Sequence, residues 1–147
     1  MQNKVRFINF LMGNLDYVIR ILIVDDSALI RKSVRTLFAQ QPDWMICGEA
    51  ENGCDAIDKA KKLLPDLITM DLVMPLLNGI EATRLLKQLM PATPVLMFTT
   101  FTDTHLKNVA LGAGVRAVID KSDGGITLID RIQELLVAEL PPPASAA

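Results

Sequence analysis

A single doubly wound α/β domain is the fold this sequence predicts, on three observations. Five short runs of Ile, Leu, Val and Met lack the polar alternation of half-exposed strands, segments of helical period lie between them, and caps or breakers mark the junctions. The first run, residues 19–24, ends at the acidic pair Asp25-Asp26, and either Asp26 or Ser27 can cap a helix carrying Leu29, Ile30, Val34, Leu37 and Phe38 on one face. Pro42 stands before the second run, residues 45–48, and Asn52 offers a cap for the helix that follows. Pro65 precedes the third run, residues 67–70. Asn78 then caps a helix with Ile80, Leu85, Leu86 and Leu89 on one side and Glu81, Arg84 and Lys87 on the other. Pro91 and Pro94 introduce the fourth run, residues 95–98, with Asp103 or Thr104 as the next cap; Gly112 separates that helix from the last run, residues 115–119. Continuous apolar character implies burial on both faces, as in a parallel sheet covered by helices.

The chain has 147 residues, 50% of them hydrophobic, and a net charge of -2 from 15 basic and 17 acidic residues. That length suits one domain, assigned to residues 19–140, between an N-terminal extension of unknown role (1–18) and a Pro/Ala-rich tail (141–147). The extension carries an apolar patch at Phe7, Ile8, Phe10, Leu11 and Met12. Gly13, Asn14 and Asp16 interrupt it too early for a signal peptide. No dense Lys/Arg block is present, which argues against direct nucleic-acid binding or a polybasic membrane anchor. No run approaches the roughly 20 apolar residues of a membrane span. Cys47 and Cys54 are too few for a disulfide framework or a thiolate metal site and read as reduced thiols of a cytoplasmic protein.

In open α/β sheets the functional crevice lies beyond the carboxyl ends of the strands. The residues there are Asp25 and Asp26, Asp71, Thr99 and Thr100, and Lys121. Taken singly each has an ordinary reading, as a helix cap, a loop polar group, a strand-end hydroxyl or a surface charge. Taken together they place three carboxylates and one ammonium at neighbouring strand ends. Two unit negative charges about 4 Å apart repel by about 4 kcal/mol at an effective dielectric of about 20, so such a cluster calls for a cation. Oxygen ligands favour a hard ion, Mg²⁺ above all.

The stretches ILIVDD at residues 21–26, DLITMDLVMP at 66–75, Asn78-Gly79, Thr99-Thr100 and Asp120-Lys121 resemble the receiver domain of two-component response regulators, over about residues 19–140. The resemblance implies a flavodoxin-like sheet of order 2-1-3-4-5. It implies that Asp71 is the phosphoacceptor, taking its phosphoryl group from a histidine of a partner kinase or phosphotransfer protein. Mg²⁺ would be held by Asp26, Asp71 and the backbone carbonyl of Val73, with Asp25 acting through water. Lys121, Thr99 and Thr100 would face the phosphoryl oxygens, and Pro75 and Gly79 would shape the loop after the acceptor. Output would pass to an effector protein through the surface around the fourth helix and fifth strand, and the face of helix 4, strand 5 and helix 5 is also a candidate for homodimer contact.

The sequence departs from that family at several places. Val118 occupies the position, three before the lysine, where receivers usually carry an aromatic ring whose rotamer follows the hydroxyl residue, and a β-branched side chain has little such freedom. Thr99, Val118 and Phe101 are therefore all candidates for the switch. Ser122 stands where many receivers have Pro. Val73 and Phe101, two residues after Asp71 and Thr99, are apolar and cannot orient an attacking water, which predicts a long-lived acyl phosphate. His105 reads as an exposed helix residue, Trp44, Met70 and Met74 as packing, and Arg31, Lys32 and Arg35 as a solvated helix face.

Rival readings are an interaction module of receiver fold that no longer uses phosphate, and a phosphohydrolase working through an aspartyl phosphate. The second is disfavoured by Val73, where its general acid would stand. A flavin carrier is disfavoured because Asp25-Asp26 replaces a phosphate-cradling loop.

Overall fold

The computed structural model describes residues 18–138, so the expectations for the N-terminal extension before residue 18 and for the tail at 141–147 lie outside the described residues. Five parallel strands, β1 (Ile19–Val24), β2 (Trp44–Ala50), β3 (Leu67–Met70), β4 (Val95–Thr99) and β5 (Ala117–Asp120), form one sheet of order β2-β1-β3-β4-β5. They alternate with helices α1 (Ala28–Phe38), α2 (Gly53–Leu63), α3 (Gly79–Leu89), α4 (Thr104–Gly112) and α5 (Gly125–Ala138). A short 3-10 turn at Lys121–Asp123 joins β5 to α5. The doubly wound, flavodoxin-like architecture expected from the sequence is the one observed.

Why the strands lack polar alternation is visible in β1. Ile19, Ile21 and Ile23 pack with Val34 and Phe38 of α1 and Leu128 and Ile132 of α5, whereas Leu22 and Val24 pack with Ala56 and Ala60 of α2 and Ala82 and Leu86 of α3. Both faces are covered, so both sets of side chains are apolar. A third cluster, including Ile80, Met97, Ala110 and Val115, fills the space between α3 and α4. Trp44 meets Phe38 edge-on, with ring centroids 5.2 Å apart, and Met70 and Met74 are buried, as expected of packing residues.

Each cap alternative resolves to one residue. Ser27 Oγ accepts from the Ile30 N–H, Asn52 Oδ1 from Asp55, Asn78 Oδ1 from Ile80 and Glu81, and Asp103 Oδ1 from Leu106. Ser27, not Asp26, caps α1. This matters for the site, because it leaves the exposed Asp26 carboxylate outside the cap.

Three strands differ from expectation in extent. β4 runs one residue further, through Thr99, which pairs with Asp120 of β5. β2 starts at Trp44 and runs on through Glu49 to Ala50; it lies at the sheet edge, pairs with β1, and is mostly half-buried, so it tolerates polar residues. β5 begins at Ala117 instead of Val115. Val115 is buried in the approach to the strand, and its apolar character reflects the α3–α4 cluster, not sheet pairing. Among the described residues, no helix is long and apolar enough to cross a membrane.

Candidate functional site

The sheet order sets β1 beside β3, β3 beside β4 and β4 beside β5, so the ends of four strands form one continuous rim. Backbone pairing continues one residue past the strands: the Asp25 N–H donates to Ala50 O at 3.0 Å, and the Asp71 N–H donates to Val24 O at 2.9 Å. These bonds hold the two acidic residues against neighbouring strands before any side-chain contact is made.

Carboxylate oxygens of Asp25, Asp26 and Asp71 lie within 4.8 Å of one another. Asp25 and Asp71 are 3% and 7% exposed, and Asp26 faces solvent. Lys121 Nζ reaches across from the turn after β5, 2.7 Å from Asp25 Oδ2 and 3.4 Å from Asp71 Oδ2. The remaining oxygens are fixed by backbone: Asp25 Oδ1 accepts from the Ser27 N–H at 2.9 Å and Asp71 Oδ1 from the Leu72 N–H at 2.8 Å. Burial, and after it the neighbouring Asp25 charge, push the Asp71 carboxyl above its ordinary value, against the opposing pull of Lys121 and the Leu72 N–H. One ammonium thus fails to balance three carboxylates. An all-oxygen donor set with excess negative charge fits a hard divalent cation such as Mg²⁺.

Thr99 is fully buried at the end of β4, and its hydroxyl accepts from the Phe101 N–H at 3.2 Å. Thr100 is exposed in the loop that follows. Val73, in the loop after Asp71, and Phe101, in the loop after Thr99, are about half exposed, at 51% and 50%. Val118 is half-buried against the α3–α4 cluster. Gly79 has a steric reason to be glycine: a Cβ there would lie 2.1 Å from Asp71 O, and its N–H donates to Leu72 O at 2.8 Å. Pro75 O accepts from the Leu77 N–H at 2.8 Å, closing a turn in which Leu76 adopts a left-handed conformation, φ 69°. His105 is exposed, as expected.

Sequence reasoning missed two groups. Arg31 does not belong to a solvated face: its Nη1 donates to Asp25 O at 2.7 Å and its Nε to Glu49 Oε1 at 3.3 Å, tying α1 and the edge strand to the acidic pair. The sequence marks Asp120 only as the companion of Lys121. Its carboxylate accepts from Thr102 Oγ1 at 2.9 Å, from the Ser122 N–H at 2.9 Å and from Ser122 Oγ at 2.7 Å. The available signal was Ser122 itself, which has an N–H and a hydroxyl where proline would have neither.

Comparison with known proteins agrees with this geometry. The family model described as the response regulator receiver domain matches residues 21–133. A protein-glutamate methylesterase/protein-glutamine glutaminase of Thermotoga maritima is 42% identical over 118 residues, covering 79% of this chain and 34% of that protein. The chain spans about a third of the length of the first curated relatives it matches. Among solved structures, the response regulator domain of Thermotoga maritima CheB superposes with a TM-score of 0.77 at 35% identity, covering 85% of this chain and 99% of that one. A CheX-CheY-BeF₃-Mg²⁺ complex from Borrelia burgdorferi gives a TM-score of 0.77 at 25% identity, covering 90% and 97%. Fold and sequence agree over most of the described length, and the chain belongs to the response regulator receiver domain family of two-component systems.

Proposed function

We propose that this domain takes a phosphoryl group onto Asp71 from a phosphohistidine of a partner kinase or phosphotransfer protein and signals to an effector through altered protein contacts. The observation that carries the reading is the convergence of Asp25, Asp26, Asp71 and Lys121 on one partly buried rim. Asp26, Asp71 and the Val73 carbonyl would hold Mg²⁺ directly, and Asp25 through water. When bound, the ion supplies charge neutralisation for the equatorial phosphoryl oxygens.

The protein's own groups do the rest. An Asp71 oxygen attacks phosphorus in line, the bond from phosphorus to the donor imidazole breaks, and its electron pair returns to the imidazole nitrogen. Lys121 moves from the carboxylates to a phosphoryl oxygen, and the Thr99 hydroxyl gives up its role as acceptor for Phe101 to donate to another, with Thr100 next to it in the loop. Asp71 then carries roughly one more negative charge than before, and this is the signal. The surface of α4, β5 and α5 is the proposed output face, for an effector or for a second copy of this chain.

Incubation with Mg²⁺ and acetyl phosphate followed by intact mass tests the reading. One added phosphoryl group on the wild type and none on Asp71→Asn is the expected result. An unmodified wild type would favour the phosphate-blind interaction module instead. Val73, two residues after Asp71, and Phe101, two after Thr99, present half-exposed apolar surface, which supports slow hydrolysis of the acyl phosphate. A Val73→Asn, Phe101→Glu double variant is expected to lose its phosphoryl group at least about tenfold faster, a general-base effect of modest size; equal lifetimes would refute the shielding role.

A further inference from the structure

Asp120 has one carboxylate oxygen in each of the two loops that border the phosphoryl side of the rim. Oδ1 accepts from the N–H and the hydroxyl of Ser122, in the turn that carries Lys121, and Oδ2 accepts from the Thr102 hydroxyl, in the loop between β4 and α4. The Ser122 bonds, and after them the Thr102 bond, hold the Asp120 carboxyl below its ordinary value, so these are hydrogen bonds to a carboxylate, which are stronger than neutral ones. Thr102 also has a special position along the chain. It follows Phe101, whose N–H is bonded to Thr99 Oγ1, and it precedes Asp103, whose carboxylate caps α4 by accepting from the Leu106 N–H. A continuous path therefore runs from Lys121 through Asp120 and Thr102 to the first turn of α4. Val118, three residues before Lys121, is packed against α4's apolar side and, being β-branched, has little rotamer freedom with which to carry such a movement itself.

We propose that Asp120 is a positioning residue that fastens the loop entering α4 to the turn bearing Lys121, so that movement of Lys121 toward a phosphoryl group on Asp71 is transmitted through Thr102 to the cap of α4. The proposal rests on the reading of Asp71 as phosphoacceptor. Ser122 belongs to the device, since a proline there would remove two of the three bonds that hold Asp120. The physical requirement is two-state movement of packed loops linked by bonds that survive it, and a carboxylate bonded on both oxygens meets that requirement better than a loose surface contact.

The test is amide NMR of the full chain with Mg²⁺, before and after addition of beryllofluoride as the phosphoryl stand-in, in the wild type, Thr102→Val, Thr102→Ser, Asp120→Ala and the Thr102→Val, Asp120→Ala double variant. In the wild type, the amides of Leu72 and Val73, beside Asp71, and those of residues 105–111 in α4 are expected to shift. Thr102→Val should keep the response at Leu72 and Val73 and lose most of that in α4. Thr102→Ser should restore it. Asp120→Ala should show the same loss, and the double variant should show no more than either single change, because one path is being cut twice. An α4 response in Thr102→Val equal to that of the wild type overturns the transmission role while leaving the phosphoacceptor reading intact. No response at Leu72 and Val73 in the wild type would overturn both.

Discussion

At the scale of single residues, the fold works against the charged form of Asp71. Its carboxyl pKa is raised above the ordinary 3.8, first by burial and second by Asp25. The native state therefore binds the Asp71 proton more tightly than the unfolded chain does, and by linkage this group's contribution to stability falls as pH rises from about 3.8 through the raised native value. Above that window the ionised side chain costs stability. Asp71→Asn should accordingly raise the stability of the metal-free protein by about 1 kcal/mol at neutral pH, an increase in Tm of about 4 °C. The gain should disappear toward pH 4 and below. Urea unfolding of both proteins at several pH values would show it, and a variant less stable than wild type at neutral pH would contradict the electrostatic account. The acidic residues and Lys121 were legible in the sequence because each ends an apolar run. Thr102 and Arg31 were not. Their partners stand 18 positions away at Asp120 and Glu49, and nothing local distinguishes a hydroxyl or guanidinium bonded across the fold from one in water.

At the scale of elements, the loop between β3 and α3 is the tightest part of the site. Gly79 opens α3 directly beneath the Asp71 carbonyl, where an added Cβ would also lie 3.1 Å from Leu72 Cα. These are backbone atoms, which cannot swing aside as a side chain can. Gly79→Ala is expected to lower stability by about 2–3 kcal/mol, as overpacking against a fixed backbone does, and to slow phosphorylation by acetyl phosphate because the acceptor loop must shift. Asn78→Ala removes the acceptor for two N–H groups and should cost about 1 kcal/mol without displacing the acceptor. Comparing the two variants by urea unfolding and by phosphorylation rate separates loss of a cap from loss of site geometry. Equal rate losses would show that the close approach at Gly79 has no special role. Sequence signals predicted which elements exist better than where they end. Pro65 announced the end of α2, but the left-handed Leu64 that caps it, φ 50°, carries no glycine to mark it. Glu49 lies within β2 because an edge strand is half solvated, a property of sheet order and not of the local run.

For the whole molecule, fold and site are energetically opposed. Two faces of apolar packing drive the strands together and, by doing so, bring Asp25 and Asp71 into a setting where Lys121 only partly offsets their repulsion. A divalent cation that binds the rim stabilises the native state by mass action, by about 1.4 kcal/mol at ten times its dissociation constant. For a domain of this size that is an increase in Tm of about 4–5 °C. Mg²⁺ should therefore raise Tm in the wild type, and chelation by EDTA should reverse the effect. Asp26→Asn, an exposed change outside the helix cap, should leave the metal-free stability within about 0.5 kcal/mol of wild type and remove most of the Mg²⁺ effect. Mg²⁺ and Asp71→Asn relieve the same repulsion by different means, so their stabilisations should fall well short of adding. Thermal melts of the wild type, Asp26→Asn and Asp71→Asn with and without Mg²⁺, at constant ionic strength, provide the comparison. A full Mg²⁺ increment in either variant would mean that the ion binds elsewhere, and that the rim's excess charge does not set the stability of this fold.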